Sequence, residues 1–190
     1  LFSKLCEIRN RGIPVYFLTG NNDMWMFDYF KTELDIPIYH EPIELLAQGK
    51  KIWIGHGDGL GPGDHGYKFI KRIFKNPAAQ FLFRWLHPDV GIALASFFSS
   101  KSREAQDAVE KFLGPEQEWL IQYVEELSLQ SDFDYYVFGH RHLPIDYTMQ
   151  NGYSRYVNLG DWITFRSYGR LHNGTLELLF YENKNGRSYP

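Results

Sequence analysis

Short apolar runs that stop abruptly at a glycine give this chain its pattern. Val15–Leu18 breaks into Thr19-Gly20-Asn21-Asn22-Asp23. Ile52-Trp53-Ile54 breaks into Gly55-His56-Gly57-Asp58, and Tyr135–Phe138 into Gly139-His140-Arg141-His142. Apolar runs this short, bounded by turn residues, read as buried strands. In an open α/β sheet, ligands collect beyond the carboxyl ends of the strands. The three polar turns are therefore expected to converge on one site.

The remaining pattern fills in a mixed α/β architecture. Leu1, Leu5 and Ile8 share one face of a helix over Leu1–Arg11 that stops at Gly12. Pro14–Leu18 is the first strand, Met24–Leu34 a helix, and Pro37–His40 an extended segment. Ile43–Ala47 and Lys51–Ile54, joined by Gln48-Gly49-Lys50, read as a hairpin. From His65 the character changes. His65–Phe74, Ala78–Leu86 and Val90–Phe98 are apolar-rich helical segments, separated by Asn76-Pro77 and His87-Pro88. Ser102–Leu113 and Pro115–Leu129 predict two further helices. Ile145–Met149 pairs with Tyr153–Asn158 across an Asn-Gly turn, and Ile163–Tyr168 with Thr175–Tyr181 around His172-Asn173-Gly174. The whole reads as one domain over 1–190, with a helical insertion at about 65–113.

Composition narrows the class. The chain has 190 residues, 44% hydrophobic and 23% charged, enough for one globular domain with a substantial core. A net charge of −3 gives no basic excess, so no nucleic-acid partner is expected. The single cysteine, Cys6, excludes an intrachain disulfide and fits a reducing compartment. No run approaches the ~20 apolar residues of a membrane span. Within the insertion, Lys68, Lys71, Arg72, Lys75 and Arg84 lie among aromatic and aliphatic positions. That mixture suits either an ordinary helical subdomain or a cap that binds an amphiphile and touches a membrane surface.

Asn21, His56, His140 and His142 offer mixed nitrogen and oxygen donors, which suits a divalent first-row metal and not a structural cysteine–zinc site. His40, His87 and His172 read as ordinary surface or capping histidines. Together, Gly20-Asn21-Asn22-Asp23, Gly55-His56-Gly57-Asp58 and Gly139-His140-Arg141-His142 resemble, in order and spacing, the last three blocks of the calcineurin-like metallophosphoesterases. The resemblance spans nearly the whole chain. It implies a metallophosphoesterase-type mixed β sandwich flanked by helices. It also implies two divalent ions, expected as Mn2+, that clamp a phosphate for in-line attack by hydroxide. Asn21, His56 and His140 would be the catalytic ligands of one ion, and His142 would serve the other.

Two features depart from the family. Its earlier Asp-x-His and Gly-Asp blocks are not found ahead of Asn21, and the chain opens inside a helical pattern. The expectation is a domain whose N-terminal βαβ portion lies outside this sequence. Asn22 stands where many members carry histidine. Downstream of His56, the run Asp64, Tyr67, Lys71 and Arg72 resembles the UDP-2,3-diacylglucosamine hydrolases of lipid A synthesis, as does Val157–Trp162. That branch carries a helical insertion holding two acyl chains. By this resemblance the chain is a hydrolase that cuts a lipid-linked nucleotide at its pyrophosphate, giving UMP and 2,3-diacylglucosamine 1-phosphate. Asn22, Asp64, Tyr67, Lys71, Arg72, Arg103 and Arg141 are the candidate substrate contacts. A cytoplasmic monomer, peripheral to the inner membrane, is expected. The alternatives are a general phosphodiesterase or phosphatase of the same fold, and a metal-poor scaffold that binds a partner protein.

Overall fold

A computed structural model describes residues 2–61, 65–94, 96–97 and 111–181. Its centre is a five-stranded mixed sheet in the order β3 (Ile43–Ala47), β4 (Lys50–Ile54), β5 (Tyr135–Phe138), β7 (Arg155–Leu159), β6 (Pro144–Thr148). The three inner strands run parallel, and the outer strands β3 and β6 run antiparallel to their neighbours. β1 (Phe17–Leu18) and β2 (Ile38–Tyr39) form a separate parallel pair, bridged by α2 (Tyr29–Leu34). α1 (Phe2–Asn10) precedes them.

Side-chain alternation divides the sheet into two faces. Trp53, Tyr136, Phe138 and Tyr156 point one way and pack on Leu120, Ile121 and Val124 of the helix Trp119–Ser128. Ile52, Tyr135, Val137 and Val157 point the other way and meet Leu176 and Leu178. Those leucines belong to β9 (Thr175–Phe180), which pairs with β8 (Ser167–His172) in a hairpin that covers this face. Side chains fix the hairpin in place. Leu176 N–H donates to Tyr135 Oη at 3.2 Å, and Gly174 N–H donates to Gln48 Oε1 at 2.9 Å. The mixed sheet with helices is the α/β fold that the apolar runs predict.

Between β4 and the helix Trp119–Ser128 lie α3 (His65–Phe74), α4 (Pro77–Arg84) and a helical stretch at 88–94. Asn76 caps α4, its Oδ1 accepting from the amides of Ala78 and Ala79. Trp25 holds this layer to the body. Its indole N–H donates to the Phe74 carbonyl at 2.8 Å, and its ring meets Phe83 and Phe74 edge-on. Outward, Phe69 (64% exposed), Leu82 (66%) and Trp85 (77%) face solvent. Among the described residues this helical layer thus presents several large apolar side chains to solvent. Most of the helix expected at Ser102–Leu113 lies outside the described residues. No helix among the described residues is long and apolar enough to cross a membrane.

Candidate functional site

Parallel pairing brings the predicted turns together. β4 and β5 are adjacent and parallel, with Ile54 opposite Val137, so His56 and His140 leave the sheet at the same edge. Their turns are locked to each other, because the His56 carbonyl accepts from the amides of both Gly139 and His140, at 3.2 and 3.0 Å. Asn21 arrives from the end of β1. Gly20, just before it, runs close under the His56 ring: a Cβ there would stand 2.6 Å from Cε1. The close approach requires glycine at this position. The Gly20 amide is itself bound by the Asp23 carboxylate.

Three donor atoms meet as a result. His56 Nε2 lies 3.0 Å from Asn21 Oδ1 and 3.3 Å from His140 Nδ1. Burial lowers the pKa of His56, and burial with the neighbouring His56 brings that of His140 down to about 4. Both rings are therefore neutral at pH 7. Neutral Nε2 cannot donate to the amide oxygen and accept from His140 at once, so at most one contact is a well-formed hydrogen bond. A cation relieves that excess of lone pairs. The spacing fits one as well. Two donors each ~2.1 Å from an ion lie about 3.0 Å apart at a right angle and about 3.4 Å apart at the tetrahedral angle. Among the described residues no three His, Cys, Asp or Glu side chains form a metal-type cluster; the third donor here is an amide.

The other predicted residues spread around this trio. His142 adopts a left-handed backbone (φ 53°) and is exposed, yet lies near enough to disfavour protonation of both half-buried histidines. Asn22 is exposed in the turn after β1. Lys71 reaches the loop after β4, its ammonium 2.6 Å from the Asp58 carboxylate. Arg72 is exposed on α3. Arg141 turns inward, its Nε donating to both carboxylate oxygens of buried Glu118 at 2.9 and 3.0 Å. There it braces the turn that carries His140 and His142. Asp64, Arg103 and the Tyr67 side chain lie outside the described residues.

A cleft of about 250 Å³ opens beside the trio, lined by Thr19, Gly20, Met24, His40, Asp58, Lys71, Lys75 and Gln80. His40, which the sequence reads as an ordinary surface histidine, stands in its wall with Nδ1 3.1 Å from Thr19 Oγ1. A smaller recess is shared by His40, His56 and Asp58. The available signal was positional: His40 follows β2 as Asn21 follows β1. Oxygen and nitrogen donors next to a cleft lined by two ion-paired lysines, together with exposed apolar side chains on the helical layer, suit a phosphorylated amphiphile.

No protein-family model matches the chain. It is similar to a UDP-2,3-diacylglucosamine hydrolase of Porphyromonas gingivalis, 33% identical over 189 residues, covering 92% of this chain and 71% of that protein. A protein of the same name from Yersinia pseudotuberculosis is 25% identical over 179 residues, covering 93% of this chain and 73% of its own length. One from Yersinia pestis is 25% identical over 180 residues, with the same coverage. The chain belongs to the UDP-2,3-diacylglucosamine hydrolase family of calcineurin-like metallophosphoesterases.

Proposed function

We propose that this chain is the hydrolase that cleaves the pyrophosphate of UDP-2,3-diacylglucosamine. Water adds across the P–O–P bridge, releasing UMP and 2,3-diacylglucosamine 1-phosphate. The supporting observation is that the chain carries both the Asn21–His56–His140 trio, beside a cleft that Lys71 and Lys75 line, and a helical layer that exposes Phe69, Leu82 and Trp85. A soluble nucleotide would need the first and not the second. In this reading the body completes a metallophosphoesterase sandwich and the helices from His65 onward form its acyl-binding cap.

Asn21, His56 and His140 would hold one divalent ion, expected as Mn2+, and His142 would face a second. When bound, such ions supply Lewis acidity toward the phosphate oxygens. The chain's own residues do the rest. Burial keeps His56 and His140 neutral, so their lone pairs stay available at pH 7. The braced turn at Arg141 holds His140 against His56. Lys71 and Lys75 line the cleft where a phosphate would enter, and Asn22, exposed in the turn after β1, would contact the substrate. The cap would take the acyl chains, each buried methylene contributing about 0.8 kcal/mol. Binding energy gained there can align the pyrophosphate for reaction. The same apolar face would let a peripheral, monomeric enzyme draw its substrate from the inner membrane surface.

The test is a kinetic comparison on one preparation with Mn2+, using UDP-2,3-diacylglucosamine, UDP-N-acetylglucosamine and an aryl phosphodiester. We expect kcat/KM for the acylated substrate to exceed the others by orders of magnitude. Equal values for all three would refute the lipid reading and leave a general phosphodiesterase.

A further inference from the structure

We propose that Lys71, on the cap helix α3, is a positioning residue for His56: it fastens the turn after β4 and ties the placement of that turn to the cap. The inference deepens the proposed hydrolysis, and its kinetic arm rests on that reading.

The Lys71 ammonium grips Asp58 twice. Nζ lies 2.6 Å from Oδ2 and donates to the Asp58 backbone carbonyl at 2.8 Å. Three residues earlier on the same face of α3, Lys68 Nζ donates to the Gly61 carbonyl at 2.6 Å. One helix therefore holds both ends of the segment 58–61. The segment needs holding, because Gly57, Gly59 and Gly61 all have positive φ, and glycine backbone is costly to order. His56 lies just ahead of it, two residues before Asp58. The Asp58 side chain is only 8% exposed, and a carboxylate that deep requires its counter-charge. The charge of Asp58 in turn reaches both His56 and His140. Any shift of α3 on ligand binding would move Asp58, and with it the backbone that carries His56.

A residue that orients a metal ligand differs from one that only binds substrate in what its loss changes. The test uses Lys71→Met, Lys71→Arg and Asp58→Asn in the full chain. Two readouts are taken: amide hydrogen exchange over residues 55–61, and kcat and KM for UDP-2,3-diacylglucosamine with Mn2+. Lys71→Met should speed exchange of that segment about tenfold in the metal-free protein, as expected when a local tether is lost. It should lower kcat by about 10–100-fold, the range for groups that orient metal ligands, with KM little changed. Lys71→Arg should recover part of both. Unchanged exchange together with a raised KM would make Lys71 a direct substrate contact and overturn the proposal. If Lys71→Met does not fold, Asp58→Asn decides by the same two readouts. A wild-type protein that leaves the substrate uncut would refute the proposed function instead, and the exchange comparison would still decide whether the tether exists.

Discussion

The Glu118–Arg141 pair gives the sharpest stability prediction, because burial fixes its magnitude. The Glu118 side chain is 3% exposed and that of Arg141 11%. Burial pushes the Glu118 carboxyl up, and the guanidinium opposes this by charge and hydrogen bonding. Replacing Glu118 by alanine removes the buried carboxylate that the Arg141 guanidinium grips, and breaking a buried pair typically costs about 3–5 kcal/mol. For a chain of 190 residues, 1 kcal/mol moves Tm by about 2–4 °C, so Glu118→Ala should lower Tm by about 6–20 °C. The double variant Glu118→Met/Arg141→Leu removes both charges and keeps the volume. It should return to within about 1 kcal/mol of wild type, since an apolar replacement of a buried pair is often neutral. Urea unfolding of wild type, Glu118→Met, Arg141→Leu and the double variant forms a double-mutant cycle. A Glu118→Ala cost below about 1 kcal/mol, or a double variant as unstable as the sum of the singles, would refute the assignment of a buried, mutually dependent pair.

Three further outcomes are expected. In metal-free protein the depressed His140 should make stability pH-dependent. The unfolded ring takes its proton near 6.5 and the folded ring only near 4, so stability is full above 6.5 and falls by up to about 3 kcal/mol as pH drops to 4. Urea midpoints across that range check this, and His140→Gln should flatten the profile. Gly20→Ala should displace the His56 ring, because its Cβ would fall 2.7 Å from Nε2. Activity should drop by about 100-fold or more, judged by kcat/KM, as for a misplaced reacting group. Trp25→Ala should loosen the cap, at a cost of about 2 kcal/mol for this half-buried ring, and speed hydrogen exchange in α3 and α4.

The elements most readable from the sequence were those whose local chemistry agrees with their packing. Tyr135–Phe138 is a strand with the predicted bounds and is buried throughout, as its unbroken apolar run requires. His65–Phe74 also keeps its predicted bounds. Where a side chain overrides propensity, the sequence misled. Ile163–Tyr168 reads as a strand, yet β8 begins only at Ser167. The Asp161 carboxylate accepts from the amides of Ile163, Thr164 and Phe165 and winds them into a turn. Met24–Leu34 reads as one helix, but α2 starts at Tyr29, because Trp25 is drawn out to hold the cap. In the candidate site, the glycine-bounded turns point to Asn21, His56 and His140, whose side chains the structure brings together. The roles of His40, Lys71 and Arg141 depend on contacts with Thr19, Asp58 and Glu118, which are 21, 13 and 23 residues away. No local pattern encodes those distances.

The central claim is that this chain opens the pyrophosphate of an acylated UDP-sugar, and the identity of the products tests it most directly. UDP-2,3-diacylglucosamine is incubated with the full-length protein and Mn2+, and the products are resolved by mass spectrometry. The account predicts UMP and 2,3-diacylglucosamine 1-phosphate in equal amounts, both absent with His56→Ala. Release of UDP with the free diacylated sugar, or intact substrate from a folded, metal-saturated protein, would contradict it.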